Sequence, residues 1–319
     1  MTTSVKHTFS SGINNLIFRT AVITGACRSG KTLLGNLLAT GSFVEHADEP
    51  WLPMLLPVMA GLKMIDNRLG KDMFVTYATE LFNSMVLLRR ANFRPGDLSS
   101  IWKQKTQREI FKRLTALDTR SDVKKFIIEN DPLLLYNLAE AIPYVDFIAK
   151  ALPNCKFIHL IRGGFNVAHE VVAKHWYSND RLLHPTDPLI YRQYKYKNKK
   201  WYLQWWIDQG DEKQFIEYSE YQRSLYYWCS LIEKGITVID RLTKEVRCIT
   251  IRYEDLINDP DRIINNTTKY LKIRQTPLTK KSLRQVYIPK KDLKVAVPET
   301  PPSLYNRVYR LYRLFGYNI

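Results

Sequence analysis

Long apolar runs are missing from this sequence of 319 residues. No stretch approaches the roughly 18 residues that a membrane helix needs. The longest candidate, 51–62, is broken by Pro53 and Pro57. Residues 1–8 carry no apolar core behind a basic start, so no secretory leader is read there and a cytoplasmic protein is expected. Cysteine is scarce. Cys27, Cys155, Cys229 and Cys248 are scattered without CxxC spacing, which argues for reduced, mostly buried thiols and against a disulfide frame or a zinc site. Repeats and low-complexity segments are absent. Acidic residues are few: 31 Asp and Glu stand against 48 Lys and Arg, a formal net charge of +17. That imbalance favours an anionic partner, whether a phosphorylated cofactor, an acidic acceptor, nucleic acid or a membrane surface. It is concentrated in the run 192–201 and in 281–319, where eight Lys and Arg face Asp292 and Glu299.

Against this background one string stands out. Gly25-Ala-Cys-Arg-Ser-Gly-Lys-Thr32 follows the apolar run 20–24 directly and fits G-x-x-x-x-G-K-[ST], the phosphate-loop pattern. Gly25 and Gly30 let the backbone curl, so that the amides of Ala26, Cys27 and their neighbours can face one anion. A helix opening near Leu33 adds its partial positive charge. Arg28 and Lys31 supply full charges, and Ser29 and Thr32 supply hydroxyl donors. A strand-turn-helix corner with surface charges is the bland alternative, and the full match in this context argues against it.

Around this loop, strand-like segments (18–24, 125–128, 156–161, 247–252) alternate with helix-like ones (31–40, 133–151, 165–175, 261–271). Alternation of this kind implies an α/β fold: a central parallel sheet with crossover helices on a nucleotide-binding loop. Long helices are expected at 72–91, 103–117 and 219–243, and an amphipathic one at 304–315 with Val308, Leu311, Tyr312 and Phe315 inward and Arg307, Arg310 and Arg313 outward. Residues 177–215 read as an irregular, aromatic and basic insertion containing Trp201, Trp205 and Trp206, either a mobile acceptor-binding lid or a loop anchored by its tryptophans. No linker divides the chain, so a single domain over 1–319 is expected, with a basic tail at 277–319.

What the loop holds divides the readings. An ATP- and magnesium-dependent small-molecule kinase would use Lys31, Thr32 and an acidic strand-end residue, for which Asp131 is the candidate. A basic nucleic-acid binder would explain the charge but leave the loop without a purpose. Three further features favour another nucleotide. The run 156–161 ends in Arg162 and opens a helix, an arrangement suited to a second anion. Tyr253-Glu-Asp-Leu256 follows the run 247–252. Asp48-Glu49-Pro50 returns toward the loop after its helix.

Together these motifs resemble the sulfotransferases that use 3′-phosphoadenosine 5′-phosphosulfate (PAPS), most closely the Golgi-type, tyrosylprotein and bacterial branches. The resemblance covers most of 18–60 and 122–275. It implies that the segment from Gly25 to Leu33 binds the 5′-phosphosulfate, with Arg28 stabilising charge on the bridging oxygen. It also implies that Arg162 and the residue eight places on, here Glu170, flank the 3′-phosphate and that Tyr253 lies near the adenine. Glu49, 21 residues after Arg28, matches the catalytic carboxylate. The reaction implied is metal-free sulfuryl transfer to a hydroxyl or amine of a small molecule or glycan, with neither nucleic acid nor a membrane span involved. The sequence departs from the family pattern at four places. Lys31 replaces a threonine, Glu170 a serine, Gly163-Gly164 an Asp-Pro pair, and Asn130 a lysine.

Overall fold

The computed structural model of the protein describes residues 18–186, 190–286 and 297–318. Its centre is a parallel sheet in the order β2-β3-β1-β4-β7. β1 (Arg19–Gly25) lies between β3 (Leu133–Ala139) and β4 (Lys156–Ile161), while β2 (Val44–Asp48) and β7 (Cys248–Arg252) form the edges. In register, Gly25 pairs with Ala139 and Asp48 with Asn137, so the strands finish at a common level. Successive residues feed opposite faces. Val22, Leu134 and Tyr136 pack under the helix Asn67–Val86, and Ala21, Ile23, Leu133 and Leu135 pack under the helices Lys31–Ala39 and Pro260–Leu271. Burial on both faces is what a parallel sheet requires.

A third cluster lies beside the sheet. The helix Glu220–Lys244, started by a capping box between Ser219 and Gln222, packs on the helix Gly164–Val172 and on the C-terminal helix Pro302–Leu314. Leu304, Val308, Leu311 and Tyr312 of that last helix are buried as the spacing predicts. Arg307 is not outward: it is half-buried and its Nη2 donates to Glu233 Oε2 at 2.6 Å.

Several elements differ from the sequence reading. Residues 125–128 belong to a helix, Arg120–Asn130, because Thr119 and Asp122 form a capping box ahead of them and Ile128 faces solvent. The segment read as a helix over 133–151 begins instead with β3, whose every residue is buried, and only its end is helical, a 3-10 turn over Ile142–Tyr144 leading into the α-helix Val145–Ala151. β2 was not foreseen. The insertion 177–215 is structured: after the short helix Asn179–Leu183, β5 (Tyr191–Tyr196) and β6 (Lys199–Gln204) form an antiparallel hairpin. Its turn residues, Lys197 and Asn198, both take positive φ (46° and 58°), the geometry of a two-residue hairpin turn. Residues 187–189 of the insertion and 287–296 and 319 of the basic tail lie outside the described residues.

Candidate active site

The residue that follows each strand of the sheet turns the carboxyl edge into a site. After β1 comes the phosphate loop, after β2 Glu49, after β3 Glu140, after β4 Arg162 and after β7 Tyr253. β1 is flanked by strands that come later in the chain, and such a switch of strand order opens a crevice at the carboxyl ends.

Within the loop, Ser29 Oγ and Lys31 Nζ both donate to the Ala26 carbonyl, at 2.7 and 2.8 Å, and close the turn. Gly30 sits at φ 90°, and a Cβ there would lie 2.4 Å from the ring of Tyr253, so only glycine admits this approach. The Cys27 amide donates to Tyr227 Oη at 2.7 Å. Burial and the neighbouring Glu140 push the Cys27 thiol up to about 12, which leaves it protonated and inert. Thr32 Oγ1 donates to Asp48 Oδ1 at 3.3 Å, and Asn137 Nδ2 donates to the same oxygen.

On one side of the loop lies a cationic cluster. Arg162 Nη1 donates to the Arg28 carbonyl at 2.9 Å, and its guanidinium lies 4.7 Å from the Tyr253 ring centroid. Glu170 joins the two arginines, at 2.6 Å from Arg28 Nη2 and 3.4 Å from Arg162 Nη2. Burial works against its ionisation, but the Arg28 bond and the two positive charges outweigh it and hold the carboxyl below the usual range. The carboxylate thus stands between the two arginines as an internal anion. Arg162 Nε is buried with no hydrogen-bond partner among the described residues. The Gly163 amide donates to Glu254 Oε1 at 2.9 Å, so the late Tyr-Glu-Asp-Leu segment caps the helix that Arg162 precedes.

On the other side lie carboxylates. Glu49, at φ 47°, is exposed, and its amide donates to the Asn137 carbonyl at 3.1 Å. Glu140, at φ 60°, accepts from Cys27 Sγ at 3.7 Å and is hydrogen-bonded by Tyr227. Burial raises its pKa against the opposing influence of Tyr227 and Lys31. Both carboxylates line a cavity of about 340 Å³ that Cys27 joins to the loop. Sequence reasoning misses Glu140 because the strand before it, Leu133–Ala139, reads as helix.

A family model described as "Sulfotransferase family" matches residues 21–218, more than half of the chain. The chain belongs to the sulfotransferase family. The fold is similar to that of a sulfotransferase domain from the Synechococcus PCC 7002 olefin synthase. That match has 15% identity and a TM-score of 0.52, and covers 98% of this chain and 100% of that one. A sulfotransferase from Mycobacterium avium matches at 11% identity and TM-score 0.49, over 95% of this chain and 78% of that one. No curated protein matches the sequence. Among the described residues, no helix is long and apolar enough to cross a membrane.

Membership implies PAPS as the sulfuryl donor, and the residues fit it unevenly. The remaining loop amides and the helix behind them suit the 5′-phosphosulfate, whereas, contrary to the sequence expectation, the Cys27 amide is given to Tyr227 and the buried Lys31 ammonium to the Ala26 carbonyl. Arg162, with an unpartnered Nε, suits a 3′-phosphate, but Glu170 already holds the arginine pair. Asp131, the candidate magnesium ligand of the kinase reading, lies at the opposite end of the sheet, where it pairs with Arg19 Nε at 2.9 Å.

Proposed function

We propose that this sulfotransferase moves the sulfuryl group of PAPS to a hydroxyl or amine of a small molecule or glycan, with Glu49 as general base. The observation that carries this reading is the division of the site. Arg28 and Arg162 lie together on one side of the loop, and Glu49 and Glu140 line one cavity on the other. When bound, PAPS supplies an activated S–O bond to a good leaving phosphate. Glu49 takes the proton from the acceptor as the acceptor atom forms its new bond to sulfur. The S–O bond to the nucleotide breaks, its electron pair departing on the phosphate. Arg28 and the remaining loop amides hold the charge that develops there. Burial keeps Glu140 closer to its neutral form than an ordinary carboxylic acid, which suits it to orient the acceptor while Glu49 accepts the proton. The Tyr253 ring, wedged between Gly30 and Arg162, sets the spacing of the two anion sites and offers an edge to the adenine.

The test is a thermal-shift comparison of adenosine 3′,5′-bisphosphate with ATP and magnesium. The bisphosphate should raise the melting temperature by mass action. Stabilisation by magnesium-ATP alone would overturn the reading in favour of the kinase.

A further inference from the structure

The cavity that Glu49 and Glu140 line also says what enters it. One wall is apolar: Met54, Leu55 and Val58 from the helix Trp51–Gly61. Another part of the lining is aromatic: Trp176, Tyr191 and Trp205, the last also packed on Tyr144 at a ring separation of 5.1 Å. Trp201 and Trp206, by contrast, are buried in the cluster under the hairpin, so the three tryptophans of the insertion divide into two anchors and one cavity residue.

The volume, about 340 Å³, lies at the lower end of the roughly 300–1,000 Å³ typical of small-ligand sites. It suits one small molecule and not a length of polymer. Its described lining does not share the chain's excess of positive charge. The protein carries +17, yet the charged lining among the described residues is Glu49, Glu140 and Arg181, and Arg181 is already bonded to Thr186. Among the described lining residues, an anionic group here would find one arginine, Arg181, set against the Glu49 carboxylate and the buried Glu140 acid, in a largely apolar enclosure, a costly placement. Apolar and aromatic walls instead reward a molecule with little polar surface beyond the group that reacts.

Building on the proposed sulfuryl transfer, we propose that this cavity is the acceptor site and that it takes a neutral, largely apolar alcohol or phenol with its hydroxyl between Glu49 and Glu140. An anionic glycan is disfavoured. The hydroxyl then lies beside Cys27, the loop residue that borders both cavity and phosphate site. The reaction consumes it as R–OH and returns R–O–SO₃⁻, the proton passing to Glu49.

The experiment titrates 1-decanol, 4-phenylphenol and, as the anionic comparison, glucuronate into the full chain saturated with adenosine 3′,5′-bisphosphate, following tryptophan fluorescence. The two alcohols should bind about tenfold or more tighter than glucuronate. Leu55→Trp, which narrows the apolar wall, should weaken them by about tenfold while bisphosphate affinity is kept, and the bisphosphate response itself reports that the variant is folded. Met54→Trp serves the same purpose if the first variant does not fold. Glucuronate binding as tightly as the alcohols, or alcohol binding indifferent to the narrowed wall, overturns the proposal. Bisphosphate binding without any alcohol binding overturns it alone, whereas failure of the bisphosphate to bind overturns the sulfuryl-transfer reading beneath it.

Discussion

Glu170→Ser removes the carboxylate that stands between Arg28 and Arg162 and restores the residue type the family usually has there. The magnitude follows from the geometry. Glu170 makes one short bond to Arg28 at 2.6 Å and a longer one to Arg162 at 3.4 Å, and its side chain is 36% exposed. Partly exposed ion pairs of this kind contribute about 0.2–1 kcal/mol each after screening by water and salt. A 3′-phosphate entering beside Arg162 has to displace its bond to Glu170, and it also meets the repulsion of the carboxylate that Arg28 still holds. Removing the carboxylate should therefore tighten adenosine 3′,5′-bisphosphate by roughly 5–30-fold, the equivalent of about 1–2 kcal/mol. Adenosine 5′-monophosphate, which lacks the 3′-phosphate, should gain less, since only the release of Arg28 can help it. Calorimetric titration of both nucleotides into wild type and variant provides the measurement. An equal gain for both would mean that the carboxylate acts on the whole nucleotide and not at the 3′ position. No gain for either would refute the assignment of Arg28 and Arg162 to a phosphate site.

Glu49→Gln should lower kcat by about a hundredfold or more with bisphosphate affinity almost unchanged, measured by steady-state turnover and titration; near-normal turnover would move the base to Glu140. Trp205→Ala should raise the acceptor KM with little loss of melting temperature, whereas Trp206→Ala, which empties a fully buried site, should cost about 3–5 kcal/mol in urea denaturation. Gly35→Ala places a Cβ 2.2 Å from His46 Nε2 inside the core and should cost about 1–3 kcal/mol by overpacking, read from the same denaturation curves. Burial pushes His46 and His159 down to about 4, so the folded state binds fewer protons than the unfolded chain. Stability should be full above the ordinary histidine value of 6.5 and be lost as pH falls through about 4, with a slope of at most about 1.4 kcal/mol per pH unit per histidine. A denaturation midpoint that does not move between about pH 7 and pH 5 would contradict the buried, neutral state of both rings.

The phosphate loop was legible because its chemistry is local: glycines, hydroxyls and cations sit within eight consecutive residues, and the strand before it is uniformly apolar. Arg162 and Tyr253 were legible for the same reason, each ending an apolar run that proved to be a strand. The strand that precedes Glu140 was not. Leu133-Leu-Leu-Tyr-Asn-Leu-Ala139 is rich in residues that favour helices, and a strand buried on both faces shows no alternation to betray it. The opposite error befell 125–128, where a short apolar run with two isoleucines sits in a capped helix and tertiary position decides over propensity. The hairpin was hidden by its turn, since Lys197 and Asn198 take the left-handed conformation without glycine.

These errors share a consequence for the chemistry. With 133–139 read as helix, Asp131 ends a strand and stands ready for magnesium. With 133–139 as β3, Asp131 instead precedes the strand at its amino end, paired with Arg19, and the acid at the carboxyl end is Glu140. One strand boundary thus removes the ligand that a kinase needed and supplies a second carboxylate to the cavity beside the loop. The same boundary explains why Glu140 holds an uncommon positive φ. It turns the chain off the sheet at the level of Gly25, whose carbonyl accepts its amide at 3.3 Å, and the turn leaves the Glu140 carboxyl against Cys27. A glycine at 140 would relieve the backbone strain and lose the carboxylate, whereas Glu140→Gln keeps the shape and removes only the charge. Comparing the two variants therefore separates the cost of the turn from the work of the acid. If both lose turnover alike while only the glycine variant gains stability, the carboxylate carries the function and the strain is held on its behalf.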